Sequence, residues 1–479
     1  MATITSPGVG SGLDVNGIVS QLVALERKPI EKLEEAASTI QTRISSYGRV
    51  QSLFSTLRDA AAALGRSTQW QQTAATASDA TALSVSASSG ASVGSYGVTV
   101  SSLARSQSLA STALAASSTV VGGGTLQIEL GSWNGGSTTF TPKAGATPVS
   151  VTVPADATLQ QVRDAINGAN AGVSAAIVTD ASGARLTLRS RESGLTNSMR
   201  ITATDGNGDP LTIGLGTLGY NPPGGATAMS QTQAAANAAA TINGLAVTSE
   251  SNTLSGVLDG ASITLLRETG ATPVSVSVTS DRGAMKNALS AFVTAYNAIN
   301  SYLAEQTKYD DSTKTAGALQ GDSAALGMRS QMRTLLRAQS GASTTLTSLS
   351  AIGFNVQRDG SITVDNKKLE AGLDQLPELA RLFSNGDENV PANVGFGERF
   401  RTMIDQIVGS AGTLTTRSDG LKASLKRNEK DQEKLEERVL RVQTRLLKQY
   451  SALDTQMGQL NSLSSYVTSQ VAQWNKKTT

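Results

Sequence analysis

At 479 residues the chain is longer than one ordinary hydrophobic core supports, so several domains are expected. Its 40 basic residues nearly balance 38 acidic ones, and a net charge of +2 makes no field that would draw nucleic acid or a membrane surface. Neither histidine nor cysteine occurs, which removes the commonest general base, the usual partner of a nucleophilic serine, the commonest zinc ligand and all thiolate chemistry.

The opening residues lack a basic segment followed by an apolar core, and no apolar run reaches the roughly 18 residues of a membrane span. Instead Val15, Ile18, Leu22 and Leu25, then Leu33, Ala37, Ile40, Ile44, Tyr47, Val50, Phe54, Leu57, Ala61 and Leu64 recur at helical spacing. Asp14 suits an N-cap, and Pro29 reads as a break with a fresh start, predicting helices near 14–27 and 29–65.

Between about 75 and 282 the period changes to two, as in Leu83-Ser84-Val85-Ser86 and Tyr96-Gly97-Val98-Thr99-Val100, with Gly, Ser, Asn and Asp between the runs. The stretches beginning Gly145-Ala146-Thr147-Pro148 and Gly270-Ala271-Thr272-Pro273 echo each other, which two similarly built β subdomains would explain. The glycine-rich 204–230 segment reads as a boundary or exposed loop. Within it Gly214, Gly216 and Gly219 match the spacing of a dinucleotide fingerprint, but Pro222-Pro223 follows where a helix should receive the pyrophosphate. A flexible strand and turn is expected there. Asp205-Gly206-Asn207-Gly208-Asp209 starts like a calcium loop, yet the required glycine and glutamate positions hold Pro210 and Gly216, and a polar turn is the expectation. The carboxylate neighbours Asp310-Asp311 and Asp387-Glu388 read as solvated loops.

A helix is predicted again at 284–306, from Met285, Leu289, Phe292, Tyr296, Ile299 and Leu303, followed by a hairpin over 353–364 that turns at Asp359-Gly360. The C-terminal stripe is the longest: Leu421, Leu425, Leu435, Val439, Val442, Leu446, Tyr450, Leu453, Met457, Leu460, Val467, Val471 and Trp474. As one helix it would span about 80 Å. The charged run Lys422–Lys448 reads as a solvated coiled-coil face, or as a device that sets register between subunits.

The fold class expected is therefore α+β multidomain, with terminal coiled-coil helices, a helical stem and inserted antiparallel β head subdomains in a V- or U-shaped subunit. The expected division is 1–40 with 440–479 as a leg, 41–75 with 283–439 as the stem, 76–108 with 234–282 as one β subdomain and 109–233 as a second, inserted one. The seam carried by Val15, Ile18, Leu22, Leu25, Leu446, Tyr450, Leu453, Met457, Leu460, Val467, Val471 and Trp474 is the candidate partner-binding surface. Burying so few apolar side chains falls short of the entropy of ordering the tips, so the tips are expected to stay disordered in a lone monomer and to fold on assembly. No catalytic residue, cofactor or metal is expected.

Particular residues carry a resemblance. Gly10-Ser11-Gly12-Leu13-Asp14-Val15-Asn16-Gly17-Ile18-Val19, then Glu26-Arg27-Lys28-Pro29-Ile30, and at the other end Leu453 through Tyr466, resemble the terminal signatures of the flagellar filament capping proteins, the hook-associated protein 2 family. Ile242-Asn243-Gly244, Ser251-Asn252-Thr253 with Gly260, Phe292 to Asn297, Leu319-Gln320-Gly321-Asp322-Ser323 and Gly353 to Leu369 agree in order, and Ile166-Asn167 before Gly172 is similar to the hook-flagellin "IN" motif. The resemblance implies a secreted structural protein at the filament tip, exported unfolded through the flagellar type III apparatus. It implies a homo-oligomeric ring of roughly four to six subunits, and as partners flagellin, the hook-filament junction protein and a cytoplasmic export chaperone that binds the C-terminal stripe. Another flagellar axial protein, or a surface adhesin that uses the β head, is the alternative.

Overall fold

The structure is a computed structural model that describes residues 14–222, 228–387 and 389–476. The expectations for Gly10–Leu13, for Pro223 and for Glu388, and for the extreme tips 1–13 and 477–479, lie outside the described residues. The described helices, in chain order, are α1 (Val15–Leu64), α2 (Leu159–Gly168), α3 (Arg282–Thr307), α4 (Ser323–Leu336), α5 (Asn366–Asp374), α6 (Leu376–Ser384), α7 (Phe396–Val408) and α8 (Thr413–Lys476). The chain is α+β and falls into two compact units, Met1–Trp70 with Met285–Thr479, and Gln71–Ala284.

The first unit is helical. Tyr47, Val50, Phe54 and Leu57 of α1 join Phe292, Tyr296 and Ile299 of α3, Met328 and Met332 of α4, and Phe400 and Ile404 of α7 in one core. The Phe292 and Phe400 rings meet edge to face with centroids 5.0 Å apart, the arrangement their quadrupoles favour. Trp70 stacks on Phe383 and donates its indole N–H to the Leu64 carbonyl at 2.9 Å, which closes the end of α1.

α1 corrects one expectation. Gly17 N–H donates to Asp14 Oδ1 at 2.8 Å, so the N-cap forms, but Pro29 lies inside a single 50-residue helix and does not break it. Its ring is on the solvent side, and buried Val19 and Ile30 pin the helix on either side of the one missing backbone bond. α8 is likewise continuous over 64 residues and runs antiparallel to α1, with Glu26 at 3.5 Å from Arg438 and Arg27 at 4.0 Å from Glu436.

The second unit is built from antiparallel sheets around two apolar cores. A five-stranded sheet orders 73–77, 274–280, 94–102, 238–242 and 245–249, and with the three strands 253–258, 261–265 and 83–87 it encloses Leu83, Val98, Val100, Ile263 and Val276. The chain between those elements builds the second core. There α2 buries Leu159, Val162 and Ile166 with Leu126, Leu186 and Ile201 of the strands 124–133, 183–190 and 198–204. The echoed stretches end up in different settings: 149–153 pairs with 124–133 in this core, whereas 274–280 is a central strand of the five-stranded sheet.

The 204–230 segment is also corrected. Asp205 does form a polar turn, accepting from Asn207 N–H at 2.8 Å and Asp209 N–H at 2.9 Å. Beyond it, however, Gly214–Leu218 is a short 3₁₀ turn whose Leu215 and Leu218 are buried in the second core, together with Tyr220. The glycine spacing has a steric cause. Gly214 sits at φ +56, and a Cβ on Gly216 would lie 2.2 Å from the Leu211 carbonyl oxygen. The expected hairpin at 354–364 forms in the register Phe354↔Val364. Gly360 closes its loop at φ +89, where a Cβ would strike Arg333.

Three asparagines act as backbone stitches in both units. Asn167 accepts from Ala175 N–H at 2.8 Å and donates to Ala175 C=O at 2.9 Å, joining the end of α2 to the 173–180 strand. Asn252 does the same at Ala104 (2.7 and 3.1 Å), and Asn297 at Ile362 (2.7 and 2.9 Å). Each amide matches a strand edge with one acceptor and one donor, which satisfies two backbone groups that tertiary contact would otherwise leave without partners.

Asp322 joins α1, α4 and α8. Its carboxylate accepts from Tyr47 Oη at 2.7 Å and from Arg417 Nε and Nη2 at 3.1 and 2.9 Å, and it caps α4 through Ala324 N–H at 3.0 Å. Burial alone would raise the Asp322 pKa, but the bonds from Tyr47 and Arg417 hold it below the usual carboxylate range. Burial pushes the Tyr47 hydroxyl far above its ordinary value, and the neighbouring carboxylate pushes it the same way. Replacing Asp322→Ala should therefore cost about 2–4 kcal/mol by removing a charged acceptor and a helix cap together, with Tyr47→Phe costing about 1 kcal/mol. Urea unfolding midpoints of the two variants check this. Because the folded pKa of Asp322 is depressed, its contribution is complete above the unfolded carboxylate pKa of about 3.9 and fades as pH falls below it. The difference between wild type and Asp322→Ala should shrink in acid and stay constant from pH 5 to pH 8.

Candidate functional site

Among the described residues no group of three or more Asp or Glu side chains is placed to hold a metal ion, and no helix is long and apolar enough to cross a membrane. The remaining candidate is the seam at the free ends of α1 and α8.

Along the paired part, Val15 is 1% exposed and Val19 and Ile30 are buried, while Ile18 and Leu22 are half-buried. Counting back residue for residue from the Glu26–Arg438 ion pair sets Val15 level with residue 449 of α8, between the half-buried Leu446 and Tyr450. These five predicted residues are thus brought together. Leu25 is not, being 61% exposed on the outer face. Because α1 runs through Pro29 without a restart, the inward positions keep one phase from Val15 through Val19, Leu22 and Glu26 to Ile30. Val19 and Ile30 are the seam residues that reading α1 as two helices misses, and carrying the four-three spacing straight across Pro29 finds both; Val439 of the C-terminal stripe is buried with them.

Charge sets the register here. Glu26 occupies an inward position and meets Arg438, and Arg27 approaches Glu436, so part of the Lys422–Lys448 run pairs α8 with α1 of the same chain. Other charges pair along α8 itself, as Lys434 with Asp431 at 3.0 Å and Arg441 with Glu437 at 3.5 Å. All are largely exposed, so each contributes at most about 1 kcal/mol and chiefly selects alignment.

Beyond this zipper α8 continues past Asp14, where the described part of α1 begins. Leu453, Met457, Leu460, Val467, Val471 and Trp474 are all exposed, Leu460 at 58% and Trp474 at 77%, as are Leu463 and Tyr466 beside them. No charged residue occurs from Thr455 to Asn475. The surface is therefore a neutral, apolar helical face of about 30 Å at 1.5 Å per residue. Contiguous exposed apolar surface of that size is rare on monomeric proteins in water. Residues 15–28 lie in α1 and 453–476 in α8. Residues 15–28 gain the partner α8, and 453–476 extend a helix already nucleated, which adds one backbone bond per residue fixed. Val19→Ala should lower protection of the 15–30 amides against hydrogen exchange by about 1–2 kcal/mol, whereas Leu25→Ala should change it by less than about 0.5 kcal/mol.

Comparison with known proteins finds relatives along nearly the whole chain. Residues 11–107 match the family model "Flagellar hook-associated protein 2 N-terminus", 235–462 its "C-terminus" counterpart, and 134–192 the "Flagellin hook IN motif". The chain is 32% identical to the A-type flagellar hook-associated protein 2 of Pseudomonas aeruginosa over 477 residues, covering 96% of this chain and 95% of that one. It is 29% identical to flagellar hook-associated protein 2 of Escherichia coli K12, covering 98% of each. The solved D1-D2-D3 domains of the Escherichia coli flagellar cap protein FliD superpose with a TM-score of 0.64 at 26% identity, covering 79% of this chain and 99% of that one. With a relative above 30% identity matched almost end to end, the chain belongs to the flagellar hook-associated protein 2 family.

Proposed function

We propose that the protein is the structural cap at the distal end of a bacterial flagellar filament, where copies assemble as a ring and promote folding and insertion of exported flagellin. The observation that carries this reading is the neutral, exposed seam at the end of α8, on a chain similar over its length to hook-associated protein 2. A cap has to grip the growing end and let go of it repeatedly. A face without charged groups suits that task, since its hold scales with buried apolar area and carries no salt-bridge partner that would fix one register. The role is structural and not enzymatic.

In this reading 1–40 and 440–479 form the leg, 41–75 and 283–439 the stem, and 76–282 the β head whose 109–233 portion is the inserted subdomain. Leu453, Met457, Leu460, Val467, Val471 and Trp474 engage neighbouring chains in the assembled filament, and Val15, Ile18, Leu22, Leu446 and Tyr450 hold the leg together. The protein acts outside the cell after export through the flagellar type III apparatus. A cytoplasmic chaperone covers the C-terminal stripe before export, and the hook-filament junction protein receives the ring before flagellin does.

Deleting residues 453–479 should abolish filament growth in cells that carry only the truncated copy, while the β unit keeps its melting transition. Electron microscopy of those cells, with calorimetry of the purified protein, reads both outcomes. Normal-length filaments on such cells would remove the leg assignment.

A further inference from the structure

Asn16, Asn134, Asn167, Asn207, Asn243 and Asn385 each precede a glycine. In such a pair no side chain shields the glycine nitrogen from the asparagine amide carbon. Attack forms a C–N bond and closes a succinimide ring, the amide nitrogen leaves as ammonia with the glycine N–H proton, and one water opens the ring to isoaspartate or aspartate. The step needs a side-chain amide that can turn and a backbone that can follow, so the fold decides which pair reacts.

Five of the six are held. Asn16 lies in α1, where Gly17 N–H donates to Asp14 Oδ1 at 2.8 Å, and Asn167 in α2 binds both backbone groups of Ala175 through its amide. Asn134 Oδ1 accepts from Thr138 and Thr139 N–H at 2.7 and 3.2 Å, while its Nδ2 donates to Thr138 Oγ1 at 2.7 Å. Asn243 Oδ1 accepts from Gly97 N–H at 2.8 Å, and Asn385 Nδ2 donates to the Asn393 carbonyl at 2.7 Å. Each of these must give up its bonds before a ring can close.

Asn207 differs. It is exposed in the Asp205–Asp209 turn, and its side chain meets only the Asp205 carboxylate of the same turn. Gly208 takes φ +90, a Cβ there would meet nothing within 4 Å, and its N–H donates to the Asp205 carbonyl at 3.2 Å. An exposed turn closed by its own short-range bonds opens at little cost. We propose that Asn207 is a modification site that converts without an enzyme to isoaspartate and aspartate, setting a third carboxylate in the turn beside Asp205 and Asp209. Isoaspartate also adds a methylene to the backbone, which pulls apart the bonds from Asn207 and Asp209 N–H to Asp205 Oδ1. The change stays local, because Leu211 N–H donates to the Ala203 carbonyl at 2.9 Å and fastens the chain just beyond the turn.

Full-length protein is aged in mildly alkaline buffer, with and without guanidinium chloride, and digested. Peptide mass spectrometry follows conversion at each of the six asparagines, and enzymatic methylation of isoaspartate confirms the product. In the folded protein Asn207 should convert about tenfold faster than any of the other five, and in denaturant the six rates should draw together. Asn207→Gln, whose longer side chain closes a ring less readily, should remove most of the isoaspartate and leave the melting transition where it was. Faster conversion of Asn134 or another pair in the folded protein would overturn the assignment. So would an Asn207→Gln protein that gains isoaspartate as fast as wild type, or five pairs that stay slow in denaturant, since local sequence and not the fold would then protect them.

Discussion

The carboxylate of Asp322 is the point on which α1, α4 and α8 converge. It accepts Tyr47 from the first helix and Arg417 from the last, and it caps the helix between them. A buried charge is tolerated only when its lone pairs are satisfied, so this one side chain demands all three helices at once. Consequently the alignment of α8 with α1 begins beside the core, and the Glu26–Arg438 and Arg27–Glu436 pairs carry it towards the free end. The seam faces outward at Leu460 because the helix that carries it is anchored at Arg417.

Two kinds of surface follow along α8. From Lys422 to Lys448 it is dense in charge of both signs, which keeps it soluble and aligns it with α1. After Asp454 it carries no charge until Lys476, and its apolar residues meet water. The change of composition lies just beyond the level of Val15, where the described part of α1 begins.

Several segments that look like sites for ligands are explained by backbone geometry. Gly214 and Gly216 are required by a positive φ and by the approach of the Leu211 carbonyl, not by a phosphate. The "IN" asparagine, Asn167, and its counterparts Asn252 and Asn297 spend their amides on strand edges. These residues belong to the motifs by which the chain resembles its family, and their work is to fasten loops and helices to sheets. Family signatures of this kind report architecture more than chemistry.

The sequence alone determined the fold class, the long helical stripes of α1, α3 and α8, the change to period-two strands between them, the Asp359-Gly360 turn and the absence of histidine and thiol chemistry. These depend on local spacing and residue type, which are written in the chain. Only the tertiary structure decided that α1 passes through Pro29, because the buried residues on either side outweigh one lost hydrogen bond. For the same reason Leu25 faces water while Val19 and Ile30 are buried. It also decided that the glycine-rich 214–220 stretch belongs to a core and that Asp322 unites three helices. Burial and long-range hydrogen bonds join residues hundreds of positions apart in the chain, as Tyr47 and Asp322 do across 275 positions, and periodicity within a short window carries no record of them.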